Sequence, residues 1–299
     1  MFNGDIRYVL NTIVGLHGLG RPAMTLRFLH LVTVGTSVIR NASSHEGISE
    51  DLRSRLTAWS TAPPGSSEDL EASNRAAPGT DEFKAVLGYV SGNPRKASAE
   101  LNAFIGYLEH LVDNGVRGVE HRIVLLSTDT GAGWFSTRVL EEYLKEVVGH
   151  DLSKIWGVGG HKVVGVESRR IEKLGVDFSE GILGLIAEVK KIILRVGDKY
   201  DRVLANLTGG FKPESAAVLV AAGLLGIDAV YYIHEAMRNV VELPVIPLRV
   251  DENARKLLVN ALDNRMGSAE RKLLRKLGLP VTGDKISPWA RRLLELLLY

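Results

Sequence analysis

The sequence predicts an α/β protein: a Rossmann-like, mainly parallel sheet with helices on both faces, plus a small C-terminal helical module. Three observations carry that prediction. Short apolar runs of strand length alternate with longer helical patterns, three of those runs end in a small polar loop, and the chain changes character after residue 250. Strands of a parallel sheet are covered on both faces and read as continuous apolar runs. Their alternation with helical segments implies βαβ crossovers.

Residues 1–27 have apolar positions but lack the basic start and dense apolar block of a secretory signal, and read as an N-terminal extension; Met24 stands just before the first strand. Phe28 to Val34 is the first strand and runs into Gly35-Thr36-Ser37. Ser60 to Thr80, rich in Pro, Ser and Gly, reads as a surface linker or mobile insertion. Helical patterns resume from Asp81 to Val112. Ile123 to Leu126 is a second strand, followed by Ser127-Thr128-Asp129-Thr130-Gly131 and a helix near Ser136 to Val148. Lys162 to Val166 fits a further strand and Glu180 to Val196 its helix. Arg202 to Asn206 runs into Thr208-Gly209-Gly210-Phe211-Lys212 and a helix through Leu225, and Ala229 to Ile233 is another strand. Val240 to Val250 is β-like, with Pro244 and Pro247 placing it at an edge or in an exit arm.

From Asp251 two helical segments, Glu252 to Asn264 and Ser268 to Leu277, precede a last helix from Pro288. Ten Lys and Arg stand there against six Asp and Glu, a net charge of +4. A winged-helix-like module and a packing or dimerisation tail are the two readings of this segment.

Composition excludes several classes. Net charge over 299 residues is only +2, so no whole-surface basic field suits a protein that coats nucleic acid, and an anionic ligand must be gripped locally. There is no cysteine, which removes disulfides, thiol nucleophiles and Cys-based zinc sites and fits a reducing cytoplasm. The apolar stretch from Ala216 to Ile233 is broken by Gly223, Gly226 and Asp228, so no membrane span is expected. The histidines are scattered, none in H-x-x-x-H or H-E-x-x-H spacing, and no metal site is expected.

The loops carry the chemistry. In open α/β sheets ligands bind beyond the carboxyl ends of the strands, where all three loops should lie. Gly35-Thr36-Ser37 offers backbone N–H groups and two hydroxyls at a helix start, which suits an anion. Thr208-Gly209-Gly210-Phe211-Lys212 adds glycines for close approach and a full positive charge, with Pro213 fitting a first helical turn. Either loop alone is more often an ordinary turn and cap. Their meeting at one sheet edge turns the balance toward a phosphate site, although no P-loop sequence occurs.

LVTVGTSVIRN, LLSTDT and ANLTGGFKPESAAVLVAAGLLGIDAVYYIHE together resemble the CRISPR-associated Rossmann fold (CARF) family, in particular its archaeal single-CARF branch, whose members include ring nucleases. The likeness covers roughly residues 28–248. It implies a CARF domain over 28–250, with the insertion near 60–80, and the helical module over 251–299. It also implies a homodimer whose paired crevices bind cyclic oligoadenylate, chiefly cyclic tetra-adenylate, with no cofactor. By this resemblance Ser37 and Lys212 are catalytic. Gly35, Thr36, Asn41, Ser127, Thr128, Asp129, Thr130, Arg169, Arg170, Thr208, Gly209, Gly210 and Phe211 would line the ligand site. The implied reaction is metal-independent attack of a ribose 2′-OH on the adjacent phosphate, giving 2′,3′-cyclic phosphate ends and switching off type III CRISPR signalling. Arg169 and Arg170 are candidates for a phosphate lid, a solvated helix face being the alternative.

The main alternative is a non-catalytic sensor or transcription regulator whose C-terminal module contacts DNA, a reading that Arg271, Lys272, Arg275 and Lys276 permit. Arg40 to His45 has the spacing of a HEPN ribonuclease motif, but lies beside the first loop and no histidine follows His234. Gly131-Ala132-Gly133-Trp134-Phe135-Ser136 imitates a dinucleotide fingerprint, with Asp151 as its ribose acid. Four polar residues separate it from its strand.

Overall fold

The computed structural model describes residues 25–210, 212–233, 239–276, 278–282 and 285–298. The extension up to residue 24, Phe211, His234-Glu235 and the side chain of Lys212 lie outside the described residues. Six strands form one sheet: β1 (Leu26–Val34), β2 (Val119–Ser127), β3 (His161–Arg170), β4 (Arg202–Asn206), β5 (Ala229–Ile233) and β6 (Val240–Pro244). Their order is β3-β2-β1-β4-β5-β6; the first five run parallel and β6 returns antiparallel beside β5. This is the doubly wound Rossmann order, whose topological switch point lies between β1 and β4.

The helices before the second strand are α1 (Ser37–Ser43), α2 (Glu50–Thr61), α3 (Ser67–Asn74), α4 (Asp81–Gly92), α5 (Pro94–Ala97) and α6 (Ala99–Asp113). Then come α7 (Gly131–Val147), α8 (Leu152–Trp156), α9 (Phe178–Val196) and α10 (Lys212–Leu225). Alternate residues of the strands serve opposite faces. On β1 and β2, Leu29, Leu31, Val124 and Leu126 pack toward α9 and α10, while Val32, Val34, Ile123 and Leu125 pack toward α4, α6 and α7. Both faces are thus apolar, as a covered parallel sheet requires. Among the described residues no helix is long and apolar enough to cross a membrane.

Segment 60–80 departs from the linker expectation. Its prolines and glycines bracket a helix, α3, which is capped by Ser66 and buries Asp69 and Ala72 against α7. The Asp69 carboxylate accepts from Gly131 N at 2.6 Å and Gly65 N at 3.0 Å, so a polar, turn-rich composition here encodes a capped helix. Arg169 and Arg170 end a ten-residue strand and belong to no helix face.

The C-terminal segment is α11 (Glu252–Leu262), α12 (Ser268–Lys276), a short hairpin of β7 (Val281–Thr282) and β8 (Lys285–Ile286), and α13 (Pro288–Leu298). Leu257, Ala261, Leu262, Leu274, Ile286 and Leu294 form its own core. The opposite edge of α13 places Leu293 and Leu297 against Ile182 and Ile186 of α9 and Ala221 of α10. Trp289 donates to the Ser179 carbonyl at 3.1 Å and Lys190 to the Leu296 carbonyl at 2.6 Å.

Histidines that look scattered in sequence meet inside the sheet. Tyr231 Oη, His30, His121 and His161 are linked ring to ring across β5, β1, β2 and β3, at 3.0, 2.9 and 3.0 Å. All four residues are buried. Burial holds His30 down to about 3 and His161 to about 4, and keeps His121 well below its ordinary value. The folded chain therefore refuses protons that the unfolded chain binds below about pH 6.5, and stability falls as pH drops through that value toward 4. Each histidine contributes a slope of about 1.4 kcal/mol per pH unit in that window. Urea midpoints measured between pH 7 and pH 5 should give an uptake approaching three protons on unfolding; an uptake below one would contradict the neutral ladder.

Candidate ligand-binding site

Helix starts and strand ends converge at the carboxyl edge of the sheet. Gly35 leaves β1, and a Cβ placed on it would sit 2.9 Å from the backbone nitrogen of Gly210, beyond β4. The first and third loops are thus in van der Waals contact, although more than 170 residues separate them in sequence. The β4 loop is built by local hydrogen bonds. Thr208 N donates to Asn206 Oδ1 at 3.1 Å, Thr33 Oγ1 donates to the Gly209 carbonyl at 2.7 Å, and Ile233 N donates to Thr208 Oγ1 at 3.2 Å. Gly210 has φ of +89°, a left-handed conformation that favours glycine. Lys212 opens α10 directly after this turn, with Pro213 in the first helical turn.

The first loop is not an open nest of donors. Gly35 N–H donates to Glu100 Oε1 at 2.9 Å, and Ser37 Oγ donates to Glu100 Oε2 at 2.8 Å. Ser98 Oγ donates to the same Oε2 at 2.7 Å. Glu100 is 2% exposed and Ser37 8%. The sequence reading treats the Gly35 amide and the Ser37 hydroxyl as free for a ligand; instead a buried internal carboxylate engages both. Ser37 Oγ also accepts from Ala99 N at 3.2 Å. Glu100 lies in the first turn of α6, where its charge looks like ordinary compensation of the helix dipole. Its backbone carbonyl accepts from Asn206 Nδ2 at 3.1 Å, which ties it to β4 as well. The Thr36 side chain makes no capping bond at the start of α1. Asn41 donates to the Lys96 and Ala97 carbonyls at 3.0 and 3.2 Å, anchoring α1 to α5.

The second loop closes the edge beside β2. Ser127 and Thr128 are buried, Thr128 and Thr130 share a 2.8 Å hydroxyl contact, and Thr130 caps α7 by accepting from Gly133 N at 3.2 Å. The Asp129 carboxylate accepts from Arg170 Nε at 2.9 Å and Lys173 N at 2.8 Å. Arg170 further donates to the Asp129 carbonyl and Ser73 Oγ, and its guanidinium lies over the Trp134 ring. Strand alternation turns Arg169 the other way, into ion pairs with Glu167 at 2.7 Å and Glu188 at 3.3 Å on the α9 side. The two arginines do not form one lid.

Gly131 and Gly133 have packing explanations that displace the dinucleotide reading. A Cβ on Gly131 would meet the Asp69 carbonyl at 1.8 Å, and one on Gly133 would meet Thr128 Oγ1 at 1.9 Å. The Gly131 amide is capped by Asp69 and is not free for a phosphate. Asp151 caps α8, accepting from Ser153 N at 3.0 Å.

A cleft of about 300 Å³ runs along this edge, lined by Leu174, Gly175, Val176, Asp177, Phe178, Ile182, Pro213 and Glu214. Gly175 packs on Thr128 and Thr130, so the cleft joins the second loop to the start of α10. Phe178 is 67% exposed at its rim, an aromatic face that the sequence reading passes over. Size alone does not select this cleft. Hollows of about 330 Å³ and 420 Å³ lie at the opposite sheet edge, around Gly118 and Gly160, and between α3 and Thr80. The carboxyl edge is the one where the β1 and β4 loops meet, with the Lys212 position opening the next helix. Among the described residues no three His, Asp or Glu gather as a metal-binding group.

The fold is that of a Rossmann-like α/β protein, with two loops meeting at its switch point. Residues 95–246, just over half the chain, match the family described as CRISPR-associated protein (Cas_APE2256), and the protein belongs to that family. The matched span contains Glu100, the second loop, the whole cleft lining and the Thr208–Lys212 segment; it excludes Ser37.

Gly209 packs closely on Glu100: a Cβ on Gly209 would lie 2.0 Å from Glu100 Oε1. Gly209→Ala should displace the carboxylate at a cost of about 1–3 kcal/mol. Thermal melting checks this, and an unchanged midpoint would mean that the loops do not meet as described.

Proposed function

We propose that the protein binds cyclic oligoadenylate, chiefly cyclic tetra-adenylate, in this crevice and cleaves it. The observation that carries the reading is the contact of the Gly35–Ser37 and Thr208–Gly210 loops at the switch point, with Lys212 opening the next helix. Membership of a CRISPR-associated family supports a place in that immune system. The exposed Phe178 ring offers a stacking face for adenine, a contact worth about 1–3 kcal/mol per base.

In the reaction the ribose 2′-oxygen attacks the adjacent phosphorus in line, the bond to the 5′-oxygen breaks, and a 2′,3′-cyclic phosphate remains. Ser37 orients the ribose, and Lys212 meets the charge growing on the phosphoryl oxygens, so catalysis is positioning and electrostatic stabilisation. A ring with rotational symmetry suits two copies of the crevice related by a two-fold axis. Leu219 and Val220 on α10, with Ile246 and Leu248 beside them, are exposed apolar residues that favour such a dimer. The alternative of a DNA-binding regulator draws on α12, which exposes Lys272, Arg275 and Lys276 ahead of a short hairpin.

Incubation with cyclic tetra-adenylate in EDTA, followed by separation of products, tests the reading. Wild type should yield linear products ending in 2′,3′-cyclic phosphate, and Ser37→Ala and Lys212→Ala should each lose about 100-fold or more in rate. A ring bound tightly but left intact would remove the enzyme, and salt-sensitive, ring-dependent binding of labelled duplex DNA by that complex would favour the regulator.

A further inference from the structure

The cleavage reading leaves open where the 2′-OH proton goes, and a general base is worth about 10²–10⁴-fold in rate. Among the described residues no histidine bonds to Ser37: His30 and His121 are held in the buried ladder, and His45 stacks on Tyr89 with ring centroids 4.4 Å apart. What Ser37 does touch is a carboxylate. Its hydroxyl hydrogen is directed to Glu100 Oε2 at 2.8 Å, and one of its lone pairs accepts from Ala99 N. A hydroxyl has one hydrogen and two lone pairs. With the hydrogen and one lone pair engaged, Ser37 can meet a ligand hydroxyl only as an acceptor.

We infer that Glu100 is the terminal proton acceptor of the site, acting through Ser37 as a positioning residue that never touches the ligand itself. This rests on the cleavage reading above. The 2′-O–H proton passes to Ser37 Oγ as the Ser37 proton passes to Glu100 Oε2. The freed 2′-oxygen electron pair forms the new bond to phosphorus, the bond to the 5′-oxygen breaks, and the departing 5′-oxygen takes a proton from solvent. Glu100 returns its proton to solvent by way of Ser37 when product leaves. Gly35 N–H and Ser98 Oγ hold the carboxylate in register throughout, and Gly209 leaves no room for it to swing toward β4. Ser37 is then no donor to phosphate, and charge on the phosphoryl oxygens is left to Lys212.

The experiment compares the full-length wild type, Glu100→Gln and Glu100→Asp, with cyclic tetra-adenylate as the probe, by single-turnover rate across pH and by equilibrium ring binding. Glu100→Gln keeps the shape of the side chain but cannot take the proton. Its rate should fall about 100-fold or more, its ring affinity should stay within about threefold, and the acid-side loss of rate expected of wild type should be absent. Glu100→Asp retains a carboxylate and should recover part of the rate together with the acid limb. A Glu100→Gln rate within about threefold of a cleaving wild type would overturn the role of Glu100 while leaving the function intact. So would a loss of ring affinity as large as the loss of rate, or a Glu100→Asp variant without the acid limb, since either marks Glu100 as a loop brace only. A wild type that binds but never cuts would instead overturn the cleavage reading, and this inference with it.

Discussion

A single buried carboxylate sets the geometry of the candidate site. Taking a charged carboxylate out of water is costly unless hydrogen bonds replace the lost solvation. Glu100 meets that condition with the Gly35 amide and the Ser37 and Ser98 hydroxyls. The price of its burial is that the first loop loses its freedom: Gly35 and Ser37 can only be where Glu100 holds them. The Asn206 amide on the Glu100 carbonyl then fixes the same residue to β4. One residue thus brings two crossover connections into register at the switch point, the place where an open α/β sheet leaves a gap for ligand.

The rest of the molecule supports that edge from outside. α9 and α10 flank the cleft, and α13 lies against both through Leu293 and Leu297. The C-terminal segment has a small core of its own, yet it also braces the helices that bound the crevice. On the other face of the sheet, the Tyr231–His30–His121–His161 ladder links four buried polar side chains across four strands without placing a charge among them.

Much of the architecture is legible in the sequence because strands covered on both faces must be apolar throughout. The runs around residues 28–34, 123–126, 202–206 and 229–233 all fall inside observed strands. The polar loops that follow them fall at one edge for the same topological reason. What stays hidden is whatever depends on long-range partners. Glu100 follows Ser98 at the start of a helix, and a serine cap with an acidic first turn is so ordinary a signal that nothing marks it as part of a site 65 residues away. Asp69 is concealed by its Pro- and Gly-rich surroundings, and α3 with it. Arg169 and Arg170 look like a pair in sequence, but strand alternation sends them to opposite faces. The histidine ladder needs three strands in register before it exists at all.

Amide NMR of the isotope-labelled protein during titration with cyclic tetra-adenylate tests most directly whether the β1 and β4 loops form one ligand crevice. The resonances of Gly35, Gly209 and Gly210 should shift together and saturate at a common ligand concentration. Shifts confined to Gly118 and Gly160, at the opposite edge of the sheet, would contradict it.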